Sequence, residues 1–195
     1  MKPILIVYAT REGHTRLIAQ HIAELLRRRA YAVELYDARD TESRPRVGSY
    51  SGALLAASLH LGKHEKEMQR FIERERSVLS TLPTLFLSVS LSAAGAQDTT
   101  RALGHRQRVL GELKKCTDAL FDQTGWRPGH TEFVAGALMY TQYNPLIRWV
   151  MKRIARQEGA SVDTTHDHIY TDYQALDRSV EAFVQSLEPE LRAAG

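Results

Sequence analysis

Ile4 to Tyr8 is an unbroken apolar run of β-branched character, and the polar turn around Gly13 gives way to Leu17, Ile18, Ile22, Leu25 and Leu26 at near-helical spacing. That is strand, turn, helix. Thr15 is the predicted N-cap, and Arg27, Arg28 and Arg29 fall in the last turn, where cations suit the negative end of the helix dipole. Tyr31 to Tyr36 alternates as a second strand. After a polar connection through Arg39, Glu42, Arg44 and Arg46, Tyr50 to Ala57 is apolar without alternation, the pattern of a strand covered on both faces.

His64 to Leu79 predicts a helix with Met68, Phe71, Ile72 and Leu79 on one side, and Thr84 to Leu91 a fourth strand. Ser92 to Thr100 reads as a flexible polar loop and Arg101 to Phe121 as a long helix. Phe133 to Leu138 supplies a fifth strand, Tyr143 to Gln157 a strongly amphipathic helix, and Ala160 to Ile169 an irregular stretch or hairpin. Leu176, Val180, Phe183, Val184 and Leu187 form the stripe of a last helix, capped by Thr171 or Asp172. Strands alternating with helices define an α/β domain with a parallel sheet covered on both faces, here one domain over residues 1–195. Five strands fit the doubly wound order 2-1-3-4-5 with a long helical insertion after strand four. In that order the loops after strands one, three and four converge at the carboxyl edge of the sheet.

Composition narrows the chemistry. A single cysteine, Cys116, excludes an intrachain disulfide and any Cys-rich metal site, and it reads as an ordinary helix residue. No stretch is long and apolar enough for a bilayer span. Net charge is only +3, but it is unevenly placed: residues 101–115 carry +4 and residues 143–157 another +4, which leaves an acidic body. With no recognition motif and few aromatics among the arginines, nucleic acid is not the expected partner.

Thr10, Arg11, Glu12, Gly13, His14 and Thr15 lie where the first strand meets the first helix. Two hydroxyls, a glycine and the free amides of a helix start make a cradle for a phosphate or other anion, or equally an ordinary capped turn. One glycine does not make a dinucleotide fingerprint, and no G-K-[ST] follows. Glu12, His14 and Ser58 assemble a nucleophile triad only on paper, without a G-x-S-x-G elbow. His166-Asp167-His168 lacks a third paired ligand and reads as an exposed hairpin rather than a metal site.

The loop resembles that of the flavodoxin family, [ST]-x-T-G-x-T. Thr10, Gly13, His14 and Thr15 match it, and Glu12 departs by putting a carboxylate where the family has a hydroxyl. Within that family the chain is similar to the bacterial, menaquinone-dependent protoporphyrinogen IX dehydrogenases. The similarity runs from ILIVYATREGHTRLIAQHIAEL through SLHLG and LFLSVSLSA to FVAGALMYTQYNPLIRWVMKRIARQEG and IYTDY. The resemblance implies a flavodoxin-like three-layer sandwich, FMN as cofactor, protoporphyrinogen IX as substrate, and menaquinone or ubiquinone as electron acceptor. It further implies a peripheral place on an anionic membrane surface at the cytoplasmic face of the bacterial inner membrane. A homodimer is left open.

For FMN, the resemblance implies contacts from Thr10 to Thr15, from Ser58, Leu59, His60, Leu61 and Gly62, and from Ser88, Val89, Ser90 and Leu91. Leu59 and Leu61 supply apolar faces for a flavin ring, and Ser88 to Leu91 form a third side of the slot. His60 is read either as a proton donor or as a structural or solvent-facing histidine. Arg148, Lys152 and Arg156 recur every four residues as a basic helix face, suited to lipid headgroups, to porphyrin carboxylates or simply to solvent. An NAD(P)H:quinone oxidoreductase, an FMN electron carrier and a cofactor-free binding protein are the competing readings.

Overall fold

Successive residues of the first strand, β1 (Ile4–Ala9), point to opposite faces of the sheet, and both sets are apolar, so both faces must be covered. The computed structural model describes residues 2–142, 148, 149, 152, 153, 155, 156 and 161–193. Its elements continue with α1 (His14–Arg28), β2 (Val33–Asp37), β3 (Gly52–His60), β4 (Lys63–His64), α2 (Lys66–Leu79), β5 (Thr84–Ser90), α3 (Ser92–Gln97) and α4 (Leu103–Thr124). They end with β6 (His130–Ala135), β7 (Ala137–Leu138), β8 (His168–Ile169) and a final helix, α5 (Tyr173–Ala193).

Five parallel strands run in the order β2-β1-β3-β5-β6, the order expected from the alternation of strands and helices. On one face Ile4, Ile6 and Tyr8 pack with Ile18, Ile22 and Leu26 of α1 and with Leu176, Val180, Phe183 and Leu187 of α5. On the other, Leu5, Val7 and Ala9 pack with Met68, Phe71 and Ile72 of α2 and with Leu120 and Phe121 of α4. Each Leu, Ile, Val, Phe and Met among these, fully buried, contributes roughly 1.5–3 kcal/mol. Phe121 meets Phe86 and Trp126 edge-on, with ring centroids 5.4 and 5.9 Å away, which pins the C-terminal half of α4 to the sheet. In its N-terminal half, Val109 and Leu113 cluster with Ala93 and Ala96 of α3, against which Leu59 of β3 and Phe133 of β6 also pack.

Four expectations need correction. The first helix starts at His14 with Gly13 as N-cap at φ 90°, and no side chain caps it, so Thr15 is already inside the first turn. The stretch from Ser92 forms the short helix α3, because Ala93 and Ala96 have α4 to pack against. The fifth strand is displaced to His130–Ala135, while Ala137 and Leu138 leave the sheet to pair antiparallel with Ile169 and His168. The third strand runs on to His60 and folds back as β4 through Leu61 and Gly62, so Ser58 to His60 are strand residues and not loop. The apolar residues assigned to the 143–157 helix, Leu146, Ile147, Val150, Met151 and Ile154, lie outside the described residues.

Candidate functional site

At the carboxyl ends of β1, β3 and β5 the sheet opens into a cavity of about 580 Å³. Three segments anticipated from the sequence meet there: Thr10, Arg11, Glu12, His14 and Thr15; Ser58, Leu59, His60, Leu61 and Gly62; and Val89, Ser90 and Leu91. Two anticipated residues are not in its lining. Gly13 serves the turn, its N–H donating to Thr10 Oγ1 at 3.0 Å. Ser88 lies inside β5, paired with Ala57 and Phe133 on either side, and its fully buried hydroxyl meets His64 Nε2 at 3.0 Å.

The far wall is one the sequence did not reveal. Val109, Glu112, Leu113 and Cys116 come from α4, and Ser92, Gly136 and Ala137 complete the lining. An i, i+4, i+7 series was visible in Val109, Leu113 and Cys116, but an apolar stripe does not say whether it faces a core or a cavity. Gly136 belongs to a close approach: a Cβ there would stand 3.3 Å from the backbone carbon of Ser90, whose carbonyl its own N–H meets at 2.9 Å.

The α1 end of the cavity is rich in unpaired donors. Leu17 is the first residue of the helix whose N–H finds an intrahelical acceptor, Gly13 O at 3.2 Å, so the amides of His14, Thr15 and Arg16 begin the helix without one. Thr10 Oγ1 accepts from Gly13, which keeps its own proton available for donation. Together with the dipole of α1, these groups suit an anion.

Acid–base groups gather between the first two loops. His60 Nε2 stands 3.7 Å from Glu12 Oε2 and 3.9 Å from Glu65 Oε1, and Arg11 Nε reaches Glu65 Oε1 at 3.3 Å. Burial pushes the His60 imidazole below its ordinary pKa; Glu12 pulls it back up and Arg11 adds to the lowering. Burial alone lowers His14. Glu12 turns toward His60, so the carboxylate that departs from the loop pattern has a cationic partner whenever His60 is protonated.

His166, Asp167 and His168 serve separate local bonds: His166 Nδ1 with Thr165 Oγ1, Asp167 with Thr141, and His168 Nε2 with Asp163 O. Among the described residues no group of three or more His, Cys, Asp or Glu side chains is arranged for a metal, and no helix is long and apolar enough to cross a membrane. Arg148 is half-buried and its Nε donates to Tyr140 O at 3.1 Å, whereas Trp149, Arg153 and Arg156 are exposed. Together with Lys152, these three line a groove of about 420 Å³.

A doubly wound sheet of this order, with its cavity at the switch point and an anion-ready first helix, defines the class. The chain belongs to the flavodoxin domain family, which it matches over residues 5–165. It is 27% identical over 172 residues to the protoporphyrinogen IX dehydrogenase [quinone] of Escherichia coli strain K12, covering 88% of this chain and 89% of that one. It is 28% identical over 180 residues to the enzyme of the same name from Leishmania major, covering 92% and 73%. Among solved structures, oxidised flavodoxin 1 from Bacillus cereus aligns with a TM-score of 0.44 at 16% identity, over 67% of this chain and 84% of that one.

Proposed function

We propose that the cavity binds FMN and that the protein oxidises protoporphyrinogen IX to protoporphyrin IX, passing the electrons to a quinone, menaquinone or ubiquinone. The observation that carries this reading is the cavity itself. It joins an anion cradle at Thr10, Thr15 and the first amides of α1 to apolar walls from Leu59, Leu61, Leu91 and Ala137, and it is enlarged by α4 into a space of about 580 Å³. The two relatives of that name support the substrate.

The residues present fit the cofactor. In this reading the α1 amides and the Thr10 and Thr15 hydroxyls hold the phosphate, while the leucine and alanine side chains keep water from the ring. Bound, FMN supplies the two-electron acceptor. Val109 and Leu113 on α4 close the substrate side, and Glu12 is kept from the phosphate by its position beside His60. In this reading the exposed Trp149, Arg153 and Arg156 meet an anionic membrane surface, and the protein works peripherally at the cytoplasmic face of a bacterial inner membrane.

The test is an anaerobic absorption spectrum of the FMN-loaded protein before and after protoporphyrinogen IX, and again after a quinone. The expected sequence is bleaching of the flavin by the porphyrinogen and its return with the quinone. Bleaching by NADPH with none by the porphyrinogen would establish an NAD(P)H:quinone oxidoreductase instead.

A further inference from the structure

Three chain segments bring acid–base groups to one side of the cavity. Arg11 and Glu12 come from the β1–α1 turn, His60 from the end of β3, and Glu65 from the start of α2. The two carboxylates near the imidazole differ. Glu65 Oε1 receives the Ser58 hydroxyl at 3.3 Å and Arg11 Nε at 3.3 Å, and only Glu12 of the two lines the cavity. His60 is four-fifths buried, its side chain 19% exposed, with Leu59 and Leu61 on either side of it in the chain. The other charged or titratable groups that face this region are His14 at the start of α1, Lys63, opposite His60 on β4, and Glu112 and Cys116 across the cavity on α4.

We propose that His60 is the proton acceptor of the cavity and that Glu12 orients its imidazole and stabilises the protonated form. With Nε2 turned to the two carboxylates, the proton of the neutral ring is favoured on that nitrogen, which leaves Nδ1 as the acceptor. This deepens the porphyrinogen reading of the same site and rests on it. The three two-electron oxidations of a porphyrinogen together break four bridge C–H bonds and two pyrrole N–H bonds. In each round one bridge C–H bond breaks and its electron pair would leave with the hydrogen as hydride to a bound flavin. One proton also leaves, from a pyrrole N–H in two rounds and from a bridge C–H in the third, and the electron pair of its bond stays in the macrocycle as part of a new double bond. That proton goes to His60 Nδ1 and from there to water, which resets the ring for the next round.

The base must be neutral at working pH, and burial together with Arg11 favours that state. Activity therefore falls as the pH drops through the His60 pKa. Glu12→Gln removes a group that raises this pKa and moves it down; Arg11→Gln removes one that lowers it and moves it up.

The experiment has two arms. In the FMN-free protein, the imidazole of His60 is titrated by NMR in the wild type, Glu12→Gln and Arg11→Gln, with shifts in opposite directions expected. In the FMN-loaded protein, His60→Gln is expected to lose at least about a hundredfold in porphyrinogen-dependent kcat and to lose the acid limb of the pH profile. FMN affinity is followed by fluorescence alongside. Glu12→Gln keeps His60 and is expected to move the limb to lower pH by the shift seen in the NMR arm, so it carries the test if His60→Gln does not fold. An active wild type whose rate and acid limb survive His60→Gln, or are unmoved by Glu12→Gln, overturns the role of His60 and leaves the proposed function standing. A loaded wild type that does not oxidise porphyrinogen overturns both.

Discussion

His14 and Thr171 are 157 residues apart in sequence, and His14 Nε2 lies 2.8 Å from Thr171 Oγ1. Thr171 has one hydroxyl proton and gives it to Ala135 O at 2.6 Å, so the contact with His14 is made with the ring as donor. This chain of two bonds ties the start of α1, the end of β6 and the approach to α5 at the rim of the cavity. Replacing Thr171 with Val leaves a buried N–H and a carbonyl without partners. It is expected to cost about 1–3 kcal/mol in urea unfolding, whereas His14→Gln, which restores a donor of similar reach, is expected to cost less.

Thr15 is buried, lines the cavity and makes no capping bond, so its hydroxyl is available to a ligand. Under the proposed function, Thr15→Ala weakens FMN about fivefold, equivalent to about 1 kcal/mol, and changes riboflavin binding much less. Fluorescence titration with the two ligands checks this; equal losses would place the hydroxyl away from the phosphate.

Leu61 and Gly62 form the two-residue connection between β3 and β4 with φ at 49° and 76°. Positive φ at both central positions is the requirement of a type I′ hairpin turn, which favours Asn-Gly over a branched apolar residue. Leu61 is nonetheless 88% exposed while lining the cavity, an arrangement that fits contact with a ligand better than stability. Leu61→Asn is expected to raise unfolding stability by roughly 1 kcal/mol and to weaken binding of FMN or porphyrin, read by calorimetry on the same samples.

His64 is buried against Phe86, with ring centroids 5.3 Å apart, and burial lowers its pKa from 6.5 to about 4. The folded protein therefore holds this ring neutral at a pH where the unfolded chain binds a proton. Its contribution is fully present above pH 6.5, declines as the pH falls toward 4 and is lost below that. The size is on the order of 3 kcal/mol. Burial displaces His14 and His60 in the same direction. Urea unfolding between pH 4 and 7.5 is expected to show stability rising with pH, with a shallower slope in His64→Gln.

Among the described residues of the 143–157 segment, Arg153 and Arg156 are exposed, Lys152 is half-buried and Arg148 Nε donates to Tyr140 O. Changing Lys152, Arg153 and Arg156 together to Gln is expected to weaken binding to anionic vesicles by up to about 3 kcal/mol, at about 1 kcal/mol each. Neutral vesicles show no such difference, and added salt removes it from the wild type. Unchanged affinity for the anionic vesicles would remove this face from the membrane contact.

Much of the fold is legible in the chain because local and global signals agree. The unalternating run from Tyr50 to Ala57 requires cover on both faces, and the helical stripes of α1, α2 and α5 provide it. The observed strand order is the doubly wound one that this alternation and right-handed crossovers fit. The three converging loops follow from the order, and thirteen of the fifteen anticipated residues line the cavity. Tertiary structure decided the rest. Whether α4 turns Glu112 and Cys116 to a cavity or to solvent depends on how Val109 and Leu113 pack on α3, a tertiary contact with no local signature. Ser88 and Ser90 are both strand serines, yet the inner one bonds His64 and the outer one reaches the cavity, because the strand ends between them and the cleft. The meeting of Glu12, His60 and Glu65 required three segments to close on one point. Side-chain distances of that kind are set by packing and register, which residue types alone do not encode.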